Sequence, residues 1–204
     1  MGLLLVGATA AILWWGGAGI SSAQSARPSR SASSCDIQTT ERVVAVGDVH
    51  GAFEPFTRIL REAGLIDGRR RWIGGRAILV QTGDVADRGA DSRKVFDLLR
   101  RLTDDAVRAG GQVHALLGNH EAMRMMGDYR YVSKGEYAAF RSANSEDLRN
   151  NYYAFALADQ QKRTREEGGE FDERAFRAQF FDRTPLGFVE MRRAFQEQGD
   201  YGRW

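Results

Sequence analysis

The chain has 204 residues, 43% of them hydrophobic and 27% charged, which is typical of one globular domain with additional sequence at its N-terminus. Its 29 Lys and Arg and 27 Asp and Glu give a formal net charge of +2, and opposite charges alternate along the chain, so the charge does not indicate a nucleic-acid partner. Cys35 is the only cysteine, which excludes an intrachain disulfide and a thiolate metal cluster and leaves an incidental free thiol.

The N-terminal segment is apolar. Residues 2–20 carry no charge, and the small residues 21–23 that follow suit cleavage by signal peptidase. The segment lacks a basic start, and its length is close to the roughly 20 residues that span a bilayer. We interpret residues 1–25 as a signal peptide or a membrane anchor, with a buried helix as the third alternative. We therefore expect an exported protein, periplasmic or membrane-anchored. Residues 26–41, rich in Ser and Arg, are predicted to form a flexible linker.

After the linker, short apolar runs alternate with amphipathic segments. The runs 43–46, 77–81 and 113–117 are predicted strands, the first of them buried on both faces. The segments 53–63 and 95–109 carry apolar residues at helical spacing, and each is followed by glycine, which predicts two helices. Strands alternating with helices predict an α/β fold with a parallel sheet and right-handed crossovers.

The last third of the chain has a helical pattern. The predicted helices are 134–141, 145–166, 172–181 and 185–198. Asp172 is a candidate N-cap, and Pro185 suits the first turn of the last helix. Aromatic residues recur here at roughly helical spacing, which favours packing in a core over a substrate-binding groove. We divide this part of the chain into a catalytic half, residues 42–132, and a helical region, residues 133–204.

Three short polar blocks follow the three predicted strands. The first block is residues 47–51 (GDVHG), the second is 83–89 (GDVADRG), and the third is 118–121 (GNHE). Ligands collect at the carboxyl ends of the strands in a parallel sheet, so the three blocks are expected to converge in space.

The blocks contain residue types that bind a pair of divalent transition metals. Asp48 and Asp84 supply carboxylates, His50 an imidazole and Asn119 an amide oxygen, and Asp84 is the natural bridging ligand. Two such ions can stabilise the attacking and leaving oxygens of an in-line displacement at phosphorus. We predict two divalent ions as cofactors, and the ligands admit Mn, Fe or Zn alike.

Three further residues of the blocks are candidates for the chemistry itself. Arg88 can grip phosphate oxygens with its planar guanidinium. His120 is better placed to donate a proton to the leaving group than to bind metal. Asp87 can accept a hydrogen bond from that imidazole and orient it.

Together the blocks resemble the GDxHG, GDxxDRG and GNHE motifs of the calcineurin-like metallophosphoesterases, specifically the phosphoprotein-phosphatase branch. Residues 123–132 and the helical tail are similar to the bacterial Shewanella-like phosphatases. The resemblance implies a parallel βαβαβ half of a metallophosphoesterase sandwich followed by a helical region. It also implies the roles of the site residues: the first metal at Asp48, His50 and Asp84, the second at Asp84 and Asn119, phosphate at Arg88 and Asn119, and proton transfer at His120 with Asp87.

Two features depart from that family pattern. The arginine that animal-type members carry two positions after Glu121 is Met123 here, so that phosphate contact is either absent or supplied by Arg124 or another residue. The family completes its site with two further histidines, whereas no histidine follows His120 in this sequence. His114, inside a strand, is interpreted as a packed histidine or one that supports a metal ligand through a hydrogen bond. We expect a chain truncated before the remaining metal ligands.

The sequence thus predicts a metal-dependent phosphoesterase that hydrolyses phosphate monoesters through a hydroxide activated by two metals. Its predicted partner is a phosphorylated substrate, either a phosphoprotein or a small phosphoester. No nucleic acid is expected, and a membrane is expected only through the N-terminal segment. Hydrolysis of dinucleoside polyphosphates is the enzymatic alternative, and a non-catalytic fragment that binds at most one metal is the other.

Overall fold

The fold comes from a computed structural model, which describes residues 38–204. The apolar segment, Cys35 and most of the linker lie outside the described residues, so the interpretations of that region stay predictions. Within residues 38–204, no helix combines the length and the hydropathy that a membrane crossing requires. Residues 40–204 form one compact unit.

A parallel sheet of three strands lies at the centre of this unit. The strands are β1 (Val43–Val46), β2 (Ile78–Gln81) and β3 (Gln112–Ala115), in the spatial order β1-β2-β3. Val46 pairs with Gln81, which pairs with Ala115, so the three strands end at the same level. The predicted parallel α/β fold is confirmed, and the segments that follow the strands leave from one edge.

Two amphipathic helices connect the strands. They are α1 (Phe53–Glu62) and α2 (Ser92–Arg108), and each turns its apolar side inward. Leu60 of α1 and Leu99 of α2 are fully buried, and they share one core cluster with Leu79 and Val113 of the sheet. Burial of a Leu side chain contributes roughly 1.5–3 kcal/mol, so this cluster holds the sheet rigidly beneath the loops that leave it.

The prediction that β1 is buried on both faces is wrong. Val43 is 52% exposed and Ala45 is also exposed, whereas Val44 and Val46 pack partly against the core. Alternate residues of a strand point to opposite faces. The core cluster covers only one of those faces at β1, so a short β-branched run here belongs to a strand buried on one side.

Six helices follow β3. They are α3 (Asn119–Met125), α4 (Lys134–Ala139), α5 (Ser145–Glu167), α6 (Glu173–Arg183), α7 (Phe188–Phe195) and α8 (Asp200–Arg203). The sequence predicted four of them and missed the short α3 and α8. Asp172 caps α6 as predicted, because its Oδ1 accepts a hydrogen bond of 2.9 Å from the backbone N–H of Ala175.

The prediction that Pro185 lies in the first turn of α7 is wrong. The helix begins three residues later, after Gly187, whose φ of 93° is outside the range of a right-handed helix. A Cβ at Gly187 would lie 2.0 Å from the carbonyl oxygen of Tyr137. This close approach fixes the turn that precedes α7 and delays the start of the helix.

Aromatic side chains pack α7 and α8 against α2. The ring centroid of Phe195 lies 5.3 Å from that of Phe96 and 5.1 Å from that of Tyr201. Phe195 and Phe188 belong to the core cluster, as expected for aromatic residues that serve packing. Phe155 on α5 is instead exposed, as is Trp204.

Candidate metal and phosphate site

Backbone hydrogen bonds join the first and second blocks at the end of the sheet. The N–H groups of Val49 and His50 both donate to the carbonyl oxygen of Asp84, at 3.0 and 2.9 Å. In return, the N–H of Gly89 donates to the carbonyl oxygen of His50 at 3.0 Å. The two loops therefore hold each other in one arrangement, and the predicted convergence of these blocks is observed.

Glu121 joins the second block to the third. Its Oε2 accepts hydrogen bonds from the N–H groups of Asp84 at 2.8 Å and Gly118 at 2.9 Å, and its Oε1 accepts one from Ala86 at 2.8 Å. The side chain is buried, so these are charge-assisted bonds in a dry setting. No role for Glu121 was predicted from the sequence. The signal was its position as the third residue of a helix, where a glutamate commonly accepts from the capping N–H.

The second and third blocks also touch through glycines. A Cβ at Gly83 would lie 2.4 Å from the backbone nitrogen of Gly118, and a Cβ at Gly118 would lie 2.2 Å from Oδ1 of Asp84. Gly83 also has a φ of 100°. Only glycine permits the backbones to approach this closely in these conformations.

We expect Gly83→Ala to lower the free energy of unfolding by about 4 kcal/mol, from backbone strain and from the clash with Gly118. Urea denaturation measures the loss. Gly64→Ala is the matched control, because Gly64 has a φ of 64° but a Cβ added there would meet nothing within 4 Å. Gly64→Ala should lower the free energy of unfolding by the backbone strain alone, about 1 kcal/mol. Equal losses in the two variants would show that the contact between the blocks contributes nothing.

Backbone strain is concentrated in the first two blocks. Among the described residues, the non-glycine residues with positive φ are His50 at 46°, Arg70 at 59°, Asp84 at 57°, Asp87 at 71° and Arg88 at 64°. All but Arg70 lie in these blocks. Such conformations cost of the order of 1–3 kcal/mol each and tend to collect at functional sites, where the surrounding structure enforces them.

The imidazole of His50 is prepared to bind a cation. Its Nδ1 lies 2.9 Å from the carbonyl oxygen of Ala86, which assigns the Nδ1 proton to that hydrogen bond and leaves a lone pair on Nε2. Nε2 is buried and has no hydrogen-bond partner among the described residues. A carboxylate oxygen of Asp48 lies 3.7 Å from it.

One nitrogen or oxygen atom from each of His50, Asp84 and His120 lies within 4.8 Å of the others. An unpartnered buried nitrogen is costly unless something binds it, and carboxylate with imidazole suits divalent transition metals. The residues present therefore fit a divalent cation at this point.

The predicted ligands are not all placed alike. Asp48 is largely exposed beside His50, and Asp84 lies in the group just described. Asn119 is the exposed first residue of α3, and its Nδ2 contacts Sδ of Met123 at 3.9 Å. The roles of these residues, and the number of ions, stay predictions.

His120 is buried, and both nitrogens of its ring have a neighbouring side chain. Its Nδ1 lies 2.8 Å from Oδ2 of Asp87, and both side chains are buried. Its Nε2 lies 3.4 Å from Nη2 of Arg88, an exposed residue at the mouth of the site. The ring also contacts that of His50 edge to face, at 4.7 Å between centroids. One imidazole nitrogen is thus fixed by a carboxylate, and the other lies next to the guanidinium that is predicted to bind phosphate.

The suggestion that Arg124 supplies a phosphate contact is wrong. Its side chain is fully buried and forms ion pairs with Asp87 and Glu136. Arg124 is four residues after His120 in the same helix, so the two side chains lie on the same face, and that face points inward. Neither Glu136 nor this orientation of Arg124 was predicted from the sequence.

His114 lies in β3, away from the site. It is half-buried, and its Nε2 lies 2.8 Å from Oε1 of Gln112 two residues earlier. The neighbouring Val113 faces the core, so His114 points to the other face of the sheet. It is only half-buried, so it is not the packed histidine that the sequence suggested, and its hydrogen bond goes to Gln112 rather than to a predicted metal ligand.

The chain is similar to known phosphoesterases. The model of the calcineurin-like phosphoesterase family matches residues 41–197. Shewanella-like protein phosphatase 2 of Arabidopsis thaliana is 48% identical over 94 residues, which are 46% of this chain and 24% of the relative. Shewanella-like protein phosphatase 1 of Plasmodium berghei is 33% identical over 120 residues, 59% of this chain and 32% of the relative.

A third relative is the symmetrical bis(5′-nucleosyl)-tetraphosphatase of Chromobacterium violaceum. It is 37% identical over 108 residues, 53% of this chain and 32% of the relative. The chain thus spans about a quarter to a third of the length of these curated relatives.

Proposed function

Because this chain belongs to the calcineurin-like phosphoesterase family, we propose that it hydrolyses phosphate monoesters with the help of divalent metal ions. The observation that carries the proposal is the buried, unpartnered Nε2 of His50, which lies beside two carboxylates and next to the pair of Arg88 and His120. A cation-binding nitrogen, a phosphate-binding guanidinium and a proton donor within one loop cluster suit phosphoryl transfer to water.

In this proposal Asp48, His50 and Asp84 would hold one divalent ion, and Asp84 and Asn119 would hold a second. Bound Mn, Fe or Zn would neutralise phosphate charge and lower the pKa of a water ligand. The hydrogen bond from Nδ1 of His50 to the carbonyl oxygen of Ala86 keeps Nε2 directed at the ion.

The remaining steps use the protein's own groups. The exposed guanidinium of Arg88 binds two phosphate oxygens, since its fork matches their spacing. Asn119 is a further phosphate contact at the start of α3. His120 gives the proton on Nε2 to the leaving oxygen, while Asp87 holds Nδ1 and stabilises the charged ring.

Phosphoproteins are the proposed substrate class, because two relatives are named protein phosphatases. Dinucleoside polyphosphates are the competing class, favoured by the name of the tetraphosphatase relative. A phosphorylated peptide and diadenosine tetraphosphate, offered at equal concentration, separate the two classes by their kcat/KM values.

The test of the function measures bound metal and turnover of p-nitrophenyl phosphate with Mn²⁺. Both the 204-residue chain and a version continued with any sequence that its gene encodes after Trp204 are measured. We expect turnover that chelator removes and Mn²⁺ restores. His50→Ala should lower metal content and turnover together, whereas His114→Ala, off the site, should change neither. If the continued protein stays inactive with Mn²⁺, the proposed enzyme function is wrong.

A further inference from the structure

A buried group of three charged side chains lies behind His120. Nη2 of Arg124 is 2.5 Å from Oδ1 of Asp87, and Nη1 of Arg124 is 2.8 Å from Oε1 of Glu136. All three side chains are completely inaccessible to solvent. We call Asp87, Arg124 and Glu136 the charge cluster. It draws on three separate segments: the second block, α3 and α4.

Burying the charge cluster in the protein interior is energetically unfavourable. Moving each ion from water costs several kcal/mol, and apolar side chains of similar volume often stabilise a fold as well or better. Moreover, Nε of Arg124 and Oε2 of Glu136 have no hydrogen-bond partner among the described residues. An arrangement that leaves buried polar atoms unpaired is poorly suited to stability alone, which points to a functional role.

The cluster fixes the carboxylate that holds the catalytic imidazole. Oδ2 of Asp87 contacts Nδ1 of His120, and Oδ1 is engaged by Arg124, so each oxygen has its own partner. Asp87 itself lies in a strained loop, with a φ of 71°. Arg124 therefore prevents the carboxylate from rotating away from His120.

Arg124 is itself held in place. Burial lowers its pKa, but the pairing with Glu136 and the charge of Asp87 raise the pKa by more, so the guanidinium stays charged. Its Cζ also lies 4.7 Å from the centroid of the Phe195 ring. The anchor for this arrangement is Glu136, which belongs to the helical region rather than to the blocks.

The helix that carries Glu136 is docked onto the second block. Ser133, the N-cap of α4, donates its hydroxyl proton to the carbonyl oxygen of Gly89 at 3.0 Å and accepts from the N–H of Glu136 at 3.2 Å. The start of α4 is thus tied to the loop that contains Asp87. Movement of α4 would shift both ends of the charge cluster.

We propose that Arg124 and Glu136 are positioning residues that aim His120 at the leaving oxygen through Asp87. The inference rests on the proposed function, in which His120 donates that proton. It predicts that disturbing the cluster impairs departure of the leaving group rather than binding of the phosphate. Neither residue touches the substrate.

Leaving groups of different basicity test the proposal. Phenyl phosphate needs a proton to release its oxygen, whereas 2,4-dinitrophenyl phosphate does not. In Glu136→Gln and in the double variant R124M/E136M, we expect kcat on phenyl phosphate to fall roughly 10- to 100-fold. In the same variants, kcat on the dinitrophenyl ester and the KM values for both esters should stay nearly unchanged. The double variant removes Arg124 and Glu136 together, so that neither is left as a buried charge without the other, and Asp87 keeps His120 as its partner. Arg124→Lys keeps the positive charge, so its kcat on phenyl phosphate should fall less than that of R124M/E136M.

Arg163→Met is the matched control, since Arg163 forms an exposed ion pair with Asp159 at 2.9 Å on α5. It should leave both substrates unaffected. Equal losses on both esters in the cluster variants would mean a general structural role and would overturn the proposal.

A second readout does not depend on turnover. The chain has three histidines, so ¹⁵N-histidine labelling with His→Asn variants assigns each ring in NMR spectra. The proton on Nδ1 of His120 should be protected from exchange by Asp87 in the parent chain and exposed in R124M/E136M. An unchanged signal overturns the positioning role even if no variant is active. Inactivity of the continued protein with Mn²⁺ would contradict the proposed function and leave this readout unaffected.

Discussion

Replacing His120 with Asn is expected to lower kcat on phenyl phosphate by about 10²- to 10⁴-fold, while metal content stays the same. The shorter amide can still reach Asp87, but it cannot extend to the position of Nε2, which lies 3.4 Å from Nη2 of Arg88. The leaving oxygen then departs without a proton. Steady-state kinetics and elemental analysis of the purified variant provide the measurement.

The same variant decides whether His120 binds metal, because His120 shares a group of ligand-capable atoms with His50 and Asp84. Loss of metal together with activity would make His120 a ligand rather than a proton donor. His114→Asn is the matched control, since it makes the same change at a half-buried histidine in β3. It should alter neither kcat nor metal content.

Replacing Glu121 with Ala is expected to lower the free energy of unfolding by about 3–5 kcal/mol. The carboxylate accepts from the backbone N–H groups of Asp84, Ala86 and Gly118, and the mutation leaves all three without their acceptor. Each buried donor left unpaired costs about 1–3 kcal/mol. Urea denaturation followed by circular dichroism measures the change.

Glu121→Gln gives a graded comparison, because the amide keeps one acceptor oxygen and should lose about half as much. Glu146→Ala, in the first turn of the mostly exposed α5, removes a carboxylate without buried partners and should cost less than about 1 kcal/mol. A loss for Glu121→Ala as small as that of Glu146→Ala would show that the three hydrogen bonds contribute little.

The sheet and the convergence of the blocks were predictable, because both follow from local pattern. Apolar runs of strand length alternate with segments of helical period, and parallel strands bring their carboxyl ends to one edge. The burial of β1 was predicted wrongly, because the strand is covered on one face and not on both. The run 43–46 contains nothing that distinguishes a strand covered on one face from a strand covered on both.

The charge cluster could not be predicted, for a different reason. Helix α3 spans Asn119–Met125, too short to show an apolar period, so the spacing of four between His120 and Arg124 did not indicate a shared helix face. Glu136 lies on another helix, and no local rule pairs it with Arg124. Long-range pairing of charges depends on how helices dock, which the sequence pattern does not encode.

The docking of α4 ties the helical region to the catalytic half. Ser133 and Glu136 lie just past residue 132, where the catalytic half was taken to end, yet they contact Gly89 and Arg124 within that half. Recombination at this boundary, between this chain and a relative, would bring together an arginine and a helix that had not been selected for one another. The helical region is therefore not freely exchangeable between relatives, because the carboxylate that pairs with Arg124 belongs to it.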